Sequence, residues 1–331
     1  MGKYKYEKLT ALILIEFAIL LFLSVYIHHK KINVLGTSVS VNPLQKEDLI
    51  FSDEELEYFY EPQPNNIITE KPTWLGDDYN YITSINSDAL NERFDYFPEK
   101  PQDVFRIVTL GDSFTYGQYV STKENYPEKL EDLLNKELTC SNSKKFEVIN
   151  LGVGGYDIEY SVHRFKTRGQ KYNPDLVLWW LKNDDFEHIN EIMLPMRDFY
   201  YKEMEKTGEL EESYKKGDYY PFWTKVLEEF SKQYKEKQLL DLQASRIQSL
   251  DTYYKGPLIF LAVSSSMREE HKLVLRDFTN ERKNTYFYES LPGYSKMGKS
   301  LSDGHPNAEG YTLISNEVFK ILTENHLLPC N

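Results

Sequence analysis

From residue 105 onward, short continuous apolar runs alternate with amphipathic stretches. FRIVTL (105–110), FEVINL (146–151), DLVLWWL (175–181), PLIFLAV (257–263) and the weaker TYFYES (285–290) each predict a strand. After the first run, Leu130, Leu133, Leu134 and Leu138 share one helical stripe, with Asn125 as N-cap and Pro127 in the first turn. A last helix is predicted over 308–324 behind Asn307, with Tyr311, Ile314, Val318, Ile321 and Leu322 as its apolar face. Strands that are apolar throughout cannot leave one face in water. Their alternation with helices predicts an α/β fold with a parallel sheet covered on both sides.

Other stretches depart from this rhythm. Residues 186–250 contain no strand pattern and carry helical charge spacing, which predicts a helical insertion over the C-terminal edge of the third strand. Residues 79–98 mix strand-like and turn residues and read as a preamble packed on the main domain. Residues 28–74, acidic and broken by Pro62, Pro64 and Pro72, read as a linker with room for a short helix over 53–60. Residues 9–27 contain 13 Leu, Ile, Phe or Val and a single charge, Glu16. Those residues favour a membrane by about 5 kcal/mol in total, against about 3 for the carboxylate. This predicts a transmembrane anchor over 9–27, preceded by a cytoplasmic N-terminus over 1–8. Lys3, Lys5 and Lys8 before it, against Lys30 and Lys31 after it, place the body outside the cytoplasm.

The formal net charge of −13 on 331 residues, without a basic stripe, argues against a nucleic-acid partner. Neither a paired-histidine helix nor a CxxC spacing is present, so no metal or other cofactor is expected. Ser113 follows the first strand directly, where a turn can hold its oxygen above the sheet. A serine needs a base to become a nucleophile. His305, in LSDGHPNAEGY just before the last helix, emerges at the same rim, and Asp303 stands two residues from it to orient the imidazole.

GDSFTYG, NLGVGGY, KND and DGHPNAEG stand in the order of the sequence blocks of the SGNH/GDSL hydrolase superfamily, which residues 75–331 resemble. The resemblance implies a flavodoxin-like three-layer α/β/α sandwich and serine-esterase chemistry. Ser113 matches the nucleophile and His305 the base. The Ser113 N–H, the Gly155 N–H and the Asn183 side chain match the oxyanion hole. Two positions depart from the pattern. Leu181 replaces the third-block glycine. The usual D-x-x-H is D-x-H here, which leaves Ser302 at the usual aspartate position and Asp303 as the orienting acid.

With the strand order that the resemblance implies, the first and last helices are neighbours, and a Cys140–Cys330 disulfide follows from that placement. The expected function is a membrane-anchored esterase acting on an O-acylated glycan or a lipid. The same acyl-enzyme would serve an O-acyltransferase, and an idle binding module on this fold is the reading of another class.

Overall fold

The computed structural model describes residues 49–50, 55–76, 78–138, 145–216, 218 and 220–330. The expected anchor over 9–27 lies outside them. Among the described residues, no helix is long and apolar enough to cross a membrane.

The central sheet has five parallel strands: β5 (Val104–Leu110), β6 (Lys145–Asn150), β7 (Leu176–Trp180), β8 (Leu258–Val263) and β9 (Thr285–Leu291). Their order is β6-β5-β7-β8-β9, so the chain reverses its direction of travel at β5. Consecutive side chains on a strand enter opposite cores, and Leu176 to Leu181 shows it. Leu176, Leu178 and Trp180 meet Leu130, Leu134, Ile314 and Val318 of α2 (Tyr126–Glu137) and α10 (Ala308–Glu324). Val177, Trp179 and Leu181 meet Ile158, Ile247 and Leu275 of α3 (Ile158–Arg164), α8 (Glu236–Ser249) and α9 (Glu269–Glu281). Both faces are therefore covered, which makes the three layers.

The helical insertion is present as α4 (Asn183–Glu187), α5 (Asn190–Thr207), α6 (Glu209–Lys215), α7 (Pro221–Gln233) and α8. It has a core of its own around Ile189, Met193, Val226 and Phe230. The preamble forms β4 (Tyr81–Ile85), paired antiparallel with β3 (Asn66–Glu70), and then ties down the rim. Asn91 Nδ2 donates to the Tyr116 carbonyl at 2.8 Å, and Glu92 accepts from the Asn150 N–H.

Residues 55–74 do not hang free as a linker. Phe59 and Tyr60 are buried, and β2 (Glu61–Pro62) pairs with β1 (Leu49–Ile50). Residues 55–60 form turns in place of the expected short helix; 53 and 54 lie outside the described residues. The anchoring contact is ionic. Glu61 accepts from Arg164, which is wholly buried, and from Arg168 NH2 at 2.7 Å. A run of prolines and acids reveals none of this, because the partners lie about a hundred residues further along. At the other end of the chain Cys330 is disulfide-bonded, and Cys140 lies outside the described residues.

Burial opposes ionisation of Glu61, but Arg164 and Arg168 more than offset it and hold the carboxyl at about 2, below its ordinary 4.5. A lowered value stabilises the fold above pH 4.5 and withdraws that stability as the pH falls towards 2. Glu61→Gln leaves Arg164 unpaired and is expected to destabilise the protein by roughly 3 kcal/mol at neutral pH. Thermal melts across the acid range test this. The gap from wild type should close between about pH 4.5 and 2, and a gap that stays constant contradicts the assignment.

Candidate active site

The turn after β5 is built to present a serine. Asp112 caps the short helix α1 (Ser113–Tyr116), its Oδ1 accepting from the Phe114 N–H at 2.9 Å. Ser113 is thus the first helical residue, and its own N–H has no intrahelical acceptor. His305 Nε2 lies 2.9 Å from Ser113 Oγ, across 192 residues of sequence. On the far side of the ring, Nδ1 lies 2.7 Å from Asp303 Oδ2. A carboxylate only accepts, so Nδ1 carries the proton and Nε2 is left to accept from the Ser113 hydroxyl. The imidazole is also fixed by packing. It stacks on Phe114 at 4.5 Å and meets the edge of Tyr119 at 5.3 Å.

The short D-x-H spacing works because of Gly304, whose φ of 96° turns the chain sharply between acid and base. The Asp303 carboxylate then curls back to accept from the His305 backbone N–H at 3.2 Å as well as from the ring.

Gly155 joins Ser113 in the lining of a cleft of about 660 Å³. Its φ is 78°, and a Cβ there would sit 2.9 Å from the Tyr60 hydroxyl. Tyr60 donates to the Gly154 carbonyl at 2.7 Å, and Asn190 Nδ2 donates to the Gly155 carbonyl at 2.7 Å. With both carbonyls held, the Gly155 N–H is left without an acceptor among the described residues. It and the Ser113 N–H are the two backbone donors available to an oxyanion.

Asn183 does not join them, contrary to the sequence expectation. It is the first residue of α4, and its side chain turns towards the loop after β8. Its Nδ2 donates to the Ser266 carbonyl at 3.0 Å. Its Oδ1 accepts from the Arg268 N–H and from His271 Nδ1, each at 2.9 Å. Burial, followed by the Arg268 charge, pushes His271 down to about 4, so this imidazole is neutral near pH 7. Its Nδ1 donates to Asn183, and its Nε2 faces Arg268 NH2 at 3.0 Å. Both lone pairs of the amide oxygen and one of its two N–H groups are thus engaged away from the cleft.

The neighbouring Lys182 reaches the cleft instead. Its Nζ lies 2.7 Å from Asp112 Oδ2, 3.1 Å from Asp184 Oδ2 and 4.0 Å from the centre of the Phe114 ring. Sequence matching did not single it out, since a block match fixes a backbone position and says nothing about which neighbour's side chain enters the site. The rest of the cleft comes from the insertion. Tyr220, Phe222 and Trp223 form one wall, and Asn190 and the buried Arg197 place polar groups beside it.

A family model described as GDSL-like Lipase/Acylhydrolase matches residues 107–318. No curated protein matches the chain. Solved structures resemble it at low identity. TesA is 14% identical with a TM-score of 0.43, over 66% of this chain and 98% of its own. The psychrotrophic esterase EstA from Pseudoalteromonas sp. is 12% identical with a TM-score of 0.43, over 67% of this chain and 99% of its own. A family 3 carbohydrate esterase from Clostridium thermocellum is 16% identical with a TM-score of 0.37, over 69% of this chain and 100% of its own.

Since the Asn183 amide is consumed by three protein contacts, Asn183→Ala is expected to lower the melting temperature and leave ester cleavage per folded molecule within roughly threefold of wild type. Loss of an oxyanion donor would instead slow it by about a hundredfold or more. Rates normalised by active-site titration distinguish the two outcomes.

Proposed function

The chain belongs to the GDSL-like lipase/acylhydrolase family and is a hydrolase acting on ester bonds; on that premise we propose that Ser113, His305 and Asp303 carry its chemistry. The observation that supports this most is the continuous chain of contacts from Asp303 through His305 to Ser113. The Ser113 oxygen attacks the ester carbonyl while His305 Nε2 takes its proton. Asp303 holds the tautomer and stabilises the imidazolium that forms. The carbonyl oxygen becomes an oxyanion facing the Ser113 and Gly155 N–H groups. Collapse of the intermediate expels the alcohol, which receives the proton from Nε2 and leaves an acyl-enzyme. Water then attacks the acyl carbon by the same route in reverse, and the acid is released.

We take the substrate to be an O-acylated glycan in preference to a lipid ester. Arg197 and Asn190 stand in the cleft wall, and an acyl chain laid there would cover Arg197 NH1 and Asn190 Oδ1, which their contacts with Asp198 and Gly155 do not use, without offering a hydrogen bond. A sugar ring offers hydroxyls to these groups and an apolar face to Tyr220, Phe222 and Trp223. We further propose that residues 9–27 anchor the chain in a membrane with its body exported, a reading supported by the apolar run itself and by the disulfide-bonded Cys330.

A fluorophosphonate probe tests the nucleophile. Wild-type protein is expected to label at one serine, and Ser113→Ala and His305→Ala to label not at all or far more slowly. Asp303→Asn keeps the shape but allows the wrong tautomer, and is expected to reduce kcat by about ten-thousandfold. A wild-type protein that neither labels nor cleaves short-chain aryl esters contradicts the proposal.

A further inference from the structure

Among the groups at the rim that the proposed mechanism does not use is the ammonium of Lys182. Its side chain is largely buried, and burying an unpaired ammonium is unfavourable by several kcal/mol. Burial alone would therefore drive off its proton. The carboxylates of Asp112 and Asp184 more than offset this and hold the group charged. A cation kept at such a place is informative because of what it touches. Asp112 and Phe114 are the residues immediately before and after Ser113. Lys182 contacts both, at 2.7 Å to the Asp112 carboxylate and 4.0 Å to the Phe114 ring centre. The same ring also stacks on His305, at 4.5 Å with an interplanar angle of 29°.

We propose that Lys182 is a positioning residue for the reaction, fixing the nucleophile and its base together through Asp112 and Phe114. The ammonium pins Asp112, which caps the turn that carries Ser113. It also attracts the electron-rich face of Phe114 and so fixes the plane on which the His305 ring lies. Asn183, the side chain expected at this part of the rim, is turned towards Ser266, Arg268 and His271, and Lys182 occupies the cleft side instead. The proposal rests on the esterase reading for its kinetic consequences and on the contacts alone for its structural ones. It concerns geometry at the reacting atoms and not affinity, so kcat is where it acts.

The test uses Lys182→Met, which keeps length and removes charge, and the double variant Asp112→Asn with Lys182→Met. The double variant removes the Asp112 carboxylate that would lose its nearest cation and retains the Oδ1 that caps Phe114. Melting temperature, fluorophosphonate labelling rate per folded molecule, kcat and KM on a short-chain aryl ester are measured for each. Lys182→Met is expected to lower the labelling rate and kcat by roughly tenfold to a hundredfold, with KM within about twofold, since small misplacements of reacting groups have effects of that size. The double variant is expected to recover melting temperature but not rate. Rates that follow melting temperature back to the wild-type value overturn the proposal, as does an unchanged rate in the single variant. A readout without substrate separates this claim from the esterase reading. The low-field proton on His305 Nδ1 is expected to shift in the magnetic resonance spectrum of Lys182→Met. An unmoved resonance overturns the positioning role even if wild type fails to label, and failure of labelling with a shifted resonance counts against the nucleophile assignment alone.

Discussion

Burial of both faces of the parallel sheet is the constraint from which the site follows. A strand such as LVLWW has no face that water can cover, so helices must lie on each side. Parallel strands then require that every return segment leave from the same rim. The turns after β5, β6 and β7 and the loop before α10 have no other place to go. The chain reverses its direction of travel at β5, and the crevice opens there because neighbouring return segments depart to opposite faces. Ser113, Gly155, Lys182 and His305 come from four separate segments, and this single geometric rule gathers them around one cleft.

Within that crevice the backbone does much of the ordering. The D-x-H spacing is too short for an ordinary loop to fold acid onto base. Gly304 resolves it by adopting a conformation that a side-chain-bearing residue enters only with strain. The Gly154–Gly155 turn is held by Tyr60 and Asn190 on its two carbonyls, which leaves the Gly155 N–H without an acceptor among the described residues. Tyr60 belongs to the segment held by Glu61 against Arg164 and Arg168. An ion pair ahead of the sheet therefore bears on the Gly154–Gly155 turn that lines the cleft.

Much of this was legible in the sequence, for reasons that can be stated. Strand positions were readable because a doubly covered strand is apolar along its whole length, and no solvent requirement blurs the pattern. Ser113 and His305 were readable because strand ends fix the rim. Helix α9 was not singled out, since its buried face runs through His271 and Lys272 as well as Leu275 and Phe278, and charge hides its period. Residues 55–62 read as a linker because their burial depends on arginines about a hundred positions away. Asn183 was misassigned in role for a different reason. Its backbone lies where the block match puts it, but side-chain direction is set by competing hydrogen-bond partners, here the Ser266 carbonyl and the donors of Arg268 and His271. What a sequence block conveys is a place on the chain, and the hydrogen-bond partners within reach decide what is done there.

The charges at the rim bear on which esters the site can process. Lys182 stands among Asp112, Asp184 and Asp185, of which burial and the neighbouring Asp112 push Asp185 well up towards its neutral form. Arg197 is matched by Asp198, which accepts from its Nε at 3.0 Å and its NH2 at 2.8 Å. Asp303 remains, held by His305. Carboxylates thus outnumber the cations at the rim, inside a chain that is acidic as a whole. An anionic ester would be repelled on approach, and an oxyanion is opposed by the same carboxylates as it forms. An uncharged ester avoids the first difficulty. On the proposed mechanism the second is met by the imidazolium that forms in the same step and by the Ser113 and Gly155 N–H groups, while the Lys182 ammonium offsets the charge of Asp112 and Asp184 at the rim.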